Sequence, residues 1–242
     1  MSVRLTHLAA AARIGSFVAI AFAAVAAARA DTILSARGHH LTVAVIGDSV
    51  AHDLARGMET LFDDDRRVRV IRQTKFATGL VRTDYYNWNA VASAFMRMHN
   101  PDIILVVIGG NDRQDIRAHG RRYDPLSEGW IVQYERRVAR FMKIFQRRHT
   151  KVYWVSLPPV RSRTLTHAYR VLNRIYAREA RRHGFHYVDV SDKFTTPHGA
   201  YSSFGESLEG VRRQLRMNDG EHFTPVGRLV FAAYVAKAIG LR

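Results

Sequence analysis

The sequence predicts an α/β domain in which helices cover both faces of a parallel β-sheet. Five short apolar segments alternate with longer segments whose apolar residues recur every three or four positions. This alternation is typical of strands joined by helical crossovers, which place helices on both sides of the sheet. No internal repeat, low-complexity tract or long linker divides the 242 residues, so we expect one domain.

The strand predictions rest on runs of apolar and β-branched residues. Nearly every position in these runs is apolar, as expected for parallel strands that are buried on both faces. The clearest run, residues 102–108, passes directly into Gly109. The predicted strands span residues 41–46, 68–71, 102–108, 151–155 and 187–190.

Between the strands, apolar side chains at helical spacing predict amphipathic helices, several of them with capping residues at their ends. We expect the helix that begins at Ser127 to be the longest, with aromatic residues on one face and arginines on the other. Residues 193–214 are rich in glycine and only weakly periodic, which predicts a long surface loop. The predicted helices begin after Ser49, near Asn87, at Ser127, near Leu165 and at Pro225.

Residues 1–30 differ in kind from the rest of the chain. Arg4 and Arg13 precede an apolar run over residues 14–28, and small residues at 28 and 30 offer a cleavage point before Asp31. This pattern predicts a secretory signal peptide, and residues 31–242 would then form a periplasmic or secreted domain. The alternative is an uncleaved membrane anchor, although the run is shorter than the roughly 20 residues of a spanning helix.

The composition narrows the chemistry and the partners. The chain contains no cysteine, which excludes disulfides, a thiol nucleophile and thiolate metal ligands. Its formal net charge is +16, but the 37 basic residues are spread along the chain and no nucleic-acid-binding motif is present. We therefore expect a solvated basic surface and no nucleic-acid partner. The alternative is a surface that attracts anionic envelope polymers or lipid headgroups.

Three polar loops follow the first three predicted strands. They are Gly47-Asp48-Ser49, the loop around Gly79, and Gly109-Gly110-Asn111-Asp112. In open parallel sheets, ligands bind beyond the carboxyl ends of the strands, so these loops are expected to meet at one edge. Ser49 would then lie at a helix N-terminus, where a hydroxyl can act as a nucleophile.

Acyl transfer by a serine also requires a base, a group that orients the base, and donors for the oxyanion. His222 is the candidate base, and Asp219 lies three residues before it, within reach of the imidazole. The candidate donors are the backbone N–H groups of Ser49 and Gly79 and the side-chain amide of Asn111. The alternative interpretation is that these residues form ordinary turns and helix caps.

Two aspartates in these loops, Asp48 and Asp112, are expected to have a structural role. Each follows a glycine-containing strand end, where a carboxylate can accept hydrogen bonds from loop N–H groups. His52 with Asp53, and the pair His39-His40, are weaker candidates for metal binding, and surface roles are favoured for them.

In order and spacing, the four blocks Gly47-Asp48-Ser49, Gly79, Gly109-Gly110-Asn111-Asp112 and Asp219-Gly220-Glu221-His222 resemble those of the SGNH (GDSL-type) hydrolase superfamily. Further similarity over residues 79–88 and 219–224 resembles an exported bacterial branch of unknown function. The resemblance implies a flavodoxin-like three-layer α/β/α sandwich with a five-stranded parallel sheet. It also implies a triad of Ser49, His222 and Asp219, an oxyanion hole of Ser49, Gly79 and Asn111, and no cofactor or metal.

The expected function is hydrolysis of acyl esters, in particular acetyl esters. The expected substrate is a small ester or an acylated envelope carbohydrate. Three alternatives stay open: an O-acyltransferase that uses the same acyl-enzyme, a lipid esterase or thioesterase, and a non-catalytic envelope-binding protein. Tyr201, Phe204 and Arg216 are candidates for the pocket wall. Trp88 and Trp130 lie at helical core spacing, which predicts packing rather than sugar binding.

Overall fold

A computed structural model describes residues 40–241 of the chain. The predicted signal peptide therefore lies outside the described residues, as does His39. Within residues 40–241, no helix has both the length and the apolar character needed to cross a membrane.

The central sheet has five strands, all parallel, as the sequence predicted. The carboxyl end of β1 pairs with β2 through Gly47 and Thr74, and with β3 through Gly47 and Val107. The sheet is formed by β1 (Leu41–Gly47), β2 (Val68–Thr74), β3 (Ile103–Val107), β6 (Lys151–Val155) and β7 (His186–Val188). Their spatial order is β2-β1-β3-β6-β7, which is the flavodoxin-like order of a doubly wound fold.

Five helices cover the sheet, which confirms the predicted α/β class. Helices α1 and α5 pack against each other, whereas α3 contacts both α2 and α4, so the helices form two layers. The helices are α1 (Ser49–Leu61), α2 (Trp88–His99), α3 (Glu128–Lys143), α4 (Arg163–Arg182) and α5 (Pro225–Ala238). The expectation that the helix after Ser127 is the longest was wrong, because α3 has 16 residues and α4 has 20.

Two small hairpins interrupt the regular alternation. One consists of β4 (Ile116–Ala118) and β5 (Arg121–Tyr123), between β3 and α3. The other consists of β8 (Phe204–Glu206) and β9 (Arg212–Gln214), inside the segment that was expected to be only a loop. Both are antiparallel, and both lack the long apolar runs from which strands are predicted.

The core lies between the sheet and the two helical layers. Residues 103–108 are all buried, in agreement with the near-continuous apolar run in the sequence. Trp88 and Trp130 are 1% and 0% exposed, which confirms the prediction that they pack in the core. Trp130 stacks on Tyr134 along one face of α3, with their ring centroids 4.6 Å apart.

Candidate active site

The candidate site lies at the carboxyl edge of the sheet, where the strand order reverses. Strand β1 pairs with β2 on one side and with β3 on the other, so the loops after all three strands open at this edge. Ser49 follows β1, Gly79 follows β2 and Asn111 follows β3. Ligands bind at this position in doubly wound folds.

Ser49 is the first residue of α1, and Asp48 caps that helix. Asp48 is fully buried; its Oδ1 accepts a hydrogen bond from Val50 N at 3.0 Å. Its Oδ2 accepts hydrogen bonds from Gly109 N at 2.9 Å and from Gly110 N at 2.8 Å. One carboxylate thus fixes the loop of Ser49 against the loop that leads to Asn111. As the sequence predicted, Asp48 fastens loop N–H groups.

Burial has an electrostatic consequence for Asp48. Removal from water disfavours its ionised form, and the N–H groups of Gly110 and Val50 offset only part of that cost. The nearby Asp112 carboxyl adds repulsion. The pKa of Asp48 is consequently raised from 3.8 to about 6.

The loops that carry Gly79 and Asn111 are joined by a direct hydrogen bond. Asn111 Nδ2 donates to Thr78 O at 3.0 Å, which leaves its second amide hydrogen for a ligand. Within residues 40–241, the N–H groups of Ser49 and Gly79 have no hydrogen-bond acceptor. Each of the three candidate donors therefore keeps an N–H available to a ligand.

Asp112 binds the backbone of the loop that carries Gly79. Its two carboxylate oxygens accept hydrogen bonds from Leu80 N and Val81 N, each at 2.8 Å. A Cβ atom at Gly79 would lie 2.1 Å from Asp112 Oδ1, so only glycine fits this close approach. The expectation that Asp112 ties down a loop is confirmed.

Behind Asp112, two buried tyrosines continue a chain of polar contacts. Tyr134 Oη lies 2.7 Å from Asp112 Oδ2 and 2.7 Å from Tyr176 Oη, and Tyr176 donates to Ile108 O at 2.9 Å. Burial raises the pKa of the Asp112 carboxyl, and the hydrogen bond from Tyr134 offsets part of that rise.

The structure brings Asp219 and His222 together in one turn before α5. Asp219 Oδ2 lies 2.8 Å from His222 Nδ1, and Asp219 Oδ1 accepts hydrogen bonds from the backbone N–H groups of Glu221 and His222. Partial burial favours protonation of Asp219, but these hydrogen bonds outweigh it and lower the pKa to about 2. His222 Nε2 is buried and has no hydrogen-bond partner among residues 40–241.

Asp53 fastens the histidine turn to the helix of Ser49. Asp53 is 2% exposed; its Oδ2 accepts from Phe223 N at 3.0 Å and its Oδ1 from Arg228 Nε at 2.7 Å. Since Asp53 lies four residues after Ser49, both project from the same face of α1. The residue next to His222 is thus held one helical turn from Ser49.

The role of Asp53 was missed from the sequence, where it was considered only with His52 as a weak metal candidate. Among the described residues, no group of three or more carboxylate and imidazole side chains could hold a metal ion. His52 instead lies 3.2 Å from Thr74 Oγ1 and packs its ring against Phe76. His40 Nδ1 contacts Arg66 O near the start of β1.

Arg216, a candidate for the pocket wall, is buried beneath the histidine turn. Its guanidinium lies 3.8 Å from the ring centroid of Phe223 and donates to Glu221 O and Pro159 O. Burial lowers the pKa of Arg216 to about 10. Its ring contacts include Tyr201, at 5.8 Å. Arg216 therefore supports the turn rather than facing solvent.

The fold defines a class that is well represented among solved structures. A GDSL-like lipase from Bacteroides thetaiotaomicron matches with a TM-score of 0.56 and 15% identity, covering 88% of this chain and 96% of that one. The aryl esterase of M. smegmatis matches with a TM-score of 0.58 and 16% identity, covering 82% and 98%. A lipolytic G-D-S-L family member from Veillonella parvula matches with a TM-score of 0.58 and 14% identity, covering 84% and 99%. At these identities, the likeness establishes the GDSL-type fold.

The family is established by sequence. The chain belongs to DUF459, described as a protein family of unknown function, whose model matches residues 42–238. Among curated protein sequences, none matches this chain.

Proposed function

We propose that this protein is a serine esterase that removes short acyl groups from an esterified envelope carbohydrate. The acyl group that we propose is acetyl. The observation that carries the proposal is the state of His222. Its Nδ1 is bound to Asp219 at 2.8 Å, whereas its Nε2 is buried without a partner within residues 40–241. An imidazole held this way has one nitrogen available to take a hydroxyl proton.

The proposed chemistry assigns one role to each of these side chains. Ser49 Oγ attacks the ester carbonyl carbon while His222 Nε2 takes the hydroxyl proton. The carbonyl oxygen becomes an oxyanion, which receives hydrogen bonds from Ser49 N, Gly79 N and Asn111 Nδ2. The carbon–oxygen bond to the alcohol then breaks, and His222 returns the proton to the leaving oxygen.

Hydrolysis of the acyl-enzyme repeats these steps with water. His222 takes a proton from the attacking water, the second tetrahedral intermediate collapses, and Ser49 recovers its proton as the carboxylic acid leaves. Asp219 orients the imidazole and stabilises its charged form throughout. The low pKa of Asp219 keeps its carboxylate ionised above about pH 3.

Two observations support the substrate class and the location. The residues that flank Asn111 are polar: Gln114 donates to Asn111 O at 2.7 Å, and Arg113 is exposed. Polar surroundings favour a short acyl group on a hydrophilic alcohol over a long lipid chain. The pattern of residues 1–30 supports export to the periplasm or beyond. Two of the structural neighbours are a GDSL-like lipase and an aryl esterase, which is consistent with ester hydrolysis.

The test is the rate of p-nitrophenyl acetate hydrolysis by the purified protein and by its Ser49→Ala variant. We expect the variant to lose at least about 10³-fold in kcat and to lose labelling by a fluorophosphonate probe. Ser93→Ala, which removes a hydroxyl from the middle of α2, is the matched control and should keep both properties. Equal rates for the wild type and Ser49→Ala would exclude the serine mechanism.

Location and substrate are tested separately. Cells that express the full chain are fractionated, and we expect to find the protein outside the cytoplasm and shortened by the loss of residues 1–30. Release of acetate from acetylated polysaccharides, compared with release of fatty acid from lysophospholipids, tests the substrate class. Faster release from the lipid would replace the proposed carbohydrate substrate by a lipid.

A further inference from the structure

Two adjoining cavities lie beside the loops of Gly79 and Asn111. The first, of about 790 Å³, lies between residues 81–84 and residues 113–117, with Pro125 and Arg137 also in its wall. The second, of about 420 Å³, is lined by the start of α2, one face of α3 and residues 118–119. They share Thr83 and Arg137, so we treat them as one feature and call it the arginine groove.

The groove carries a concentrated positive charge. Its lining contains two aspartates and six arginines: Asp84, Asp115, Arg82, Arg113, Arg117, Arg136, Arg137 and Arg140. Both aspartates are already neutralised, since Asp84 pairs with Arg82 at 2.8 Å and Asp115 pairs with Arg122 at 2.9 Å. The side chains that line the groove therefore carry a net positive charge.

Four of these arginines are available to a ligand. Within residues 40–241, Arg113, Arg117, Arg136 and Arg140 make no ion pair with a carboxylate. All four are exposed. The guanidinium group matches the geometry of carboxylate and phosphate oxygens through paired N–H donors, and it stays charged at every relevant pH. Ion pairs with a ligand would thus form without breaking ion pairs inside the protein.

The groove is connected to the candidate site at both of its loops. Gln114, in the groove wall, donates to Asn111 O at 2.7 Å. Arg137, shared by the two cavities, donates to Leu80 O at 3.0 Å and to Val81 O at 2.8 Å, directly after Gly79. The groove therefore starts at the loops that carry the proposed oxyanion donors and leads away from them over α3.

We propose that the arginine groove binds an anionic polysaccharide chain, whose carboxylate or phosphate groups pair with the four available arginines. The part of the inference that places the ester of this chain at Ser49 rests on the proposed function. Anionic groups bound along the groove would hold a neighbouring acylated sugar against the oxyanion donors.

The structure favours a polysaccharide over two other anionic partners. Binding of single-stranded nucleic acid relies on exposed aromatic side chains for base stacking. Among the groove's described lining residues, Trp88 is the only Phe, Tyr or Trp, and it is 1% exposed, which leaves the imidazole of His119 as the one exposed ring. Binding to a lipid surface uses protruding apolar side chains. None of the large apolar side chains that are exposed among the described residues lines the groove, and three of them, Phe204, Leu208 and Val211, lie together on the β8–β9 hairpin.

The test is equilibrium binding of an oligogalacturonate to the full-length protein, measured by calorimetry, with a malto-oligosaccharide of equal length as the neutral probe. We expect binding of the anionic probe alone, weakened by added salt. The double variant Arg136→Gln/Arg140→Gln should raise Kd about tenfold or more. The matched control Arg147→Gln/Arg148→Gln makes the same charge change in the exposed loop before β6 and should change Kd by less than about twofold.

Several results would overturn the inference. Equal weakening in both double variants would assign the binding to general surface charge. Binding of both probes, or of neither, would remove the anionic polysaccharide as the ligand. Tighter binding to phosphatidylglycerol vesicles or to single-stranded DNA, lost in Arg136→Gln/Arg140→Gln, would replace it by those partners. Thermal unfolding of each variant checks that it is folded.

This test is independent of catalysis. Oligogalacturonate without acyl groups needs no reaction at Ser49, so Ser49→Ala should bind it with wild-type affinity. A protein that binds the probe but hydrolyses no ester would retain the groove and refute the esterase. A protein that hydrolyses p-nitrophenyl acetate but binds no anionic probe would retain the esterase and refute the proposed role of the groove.

Discussion

The buried carboxyl of Asp48 predicts an unusual dependence of stability on pH. Its pKa is raised from 3.8, the usual value of an aspartate, to about 6 in the folded protein. Below pH 3.8 it is protonated in both the folded and the unfolded chain. As the pH rises from 4 to 6, the unfolded chain releases this proton more readily, so the folded state loses stability.

The size of the effect follows from the shift. A difference of about two pKa units corresponds to about 3 kcal/mol, at about 1.4 kcal/mol for each unit. No allowance for solvent screening is needed, because Asp48 is 0% exposed. The stability associated with Asp48 is fully present below about pH 4 and is lost by about pH 7.

The perturbation that isolates this effect is Asp48→Asn, which resembles the protonated carboxyl in shape and has no charge. The measurement is the free energy of unfolding by urea, for both proteins, at intervals from pH 4 to pH 7.5. Groups that do not interact with Asp48 titrate alike in both proteins and cancel in the difference, whereas Asp112 loses the repulsion of Asp48 in the variant and contributes to it. We expect the wild type to lose about 2–3 kcal/mol relative to the variant over this range.

A difference that stays constant with pH would refute this reasoning. It would mean that the N–H groups of Val50, Gly109 and Gly110 stabilise the carboxylate enough to cancel its burial. A difference that grows in favour of the wild type as the pH rises would mean that they more than cancel it, with a pKa below 3.8.

Three further predictions concern the candidate site. Asp219→Asn should lower kcat on p-nitrophenyl acetate by about 10²–10⁴-fold with the fold intact by circular dichroism, because His222 loses its orienting acceptor; an unchanged kcat would remove Asp219 from the triad. Gly79→Ala should lower kcat about 10²-fold, since its Cβ would lie 2.1 Å from Asp112 Oδ1 and displace the loop, and wild-type kinetics would contradict this. Arg216→Met should lower the free energy of unfolding by about 2 kcal/mol and should lower kcat more than it changes KM, because Arg216 supports the histidine turn without reaching substrate. Arg216→Lys should restore part of the stability and part of kcat. A change in KM alone would instead place Arg216 in the pocket wall.

The sheet could be predicted because its signals are local. Each central strand is a short apolar run, and Gly47 and Gly109 follow two of these runs directly. Parallel strands joined by helices then place their carboxyl ends at one edge, so the meeting of the first three loops follows from topology alone. The two hairpins lacked such signals, since neither β4–β5 nor β8–β9 has an apolar face of ordinary strand length.

The pair Asp219 and His222 could also be proposed from the sequence, because three residues separate them. The contacts of Asp53 could not. Its partner Phe223 is 170 residues away, and nothing near Asp53 in the sequence distinguishes it from a surface acid on a helix. Arg216 was a candidate only by its proximity to His222 in the chain, and its burial against Phe223 depends on the folded turn.

Three buried carboxylates, Asp48, Asp112 and Asp53, explain how the separate loops become one site. Asp48 joins the Ser49 loop to the loop of Asn111 through Gly109 N and Gly110 N. Asp112 joins the latter to the Gly79 loop through Leu80 N and Val81 N. Asp53 joins α1 to the histidine turn.

Each of these bonds links elements that are distant in sequence, so none of the loops is held by its own conformation alone. A carboxylate suits this task because its two oxygens can accept several N–H groups at once, whereas an amide has a single acceptor oxygen. Burial raises the pKa of Asp48 and of Asp112, which is the electrostatic cost of this arrangement. Loss of any one carboxylate should therefore disturb the geometry of a neighbouring loop as well as its own.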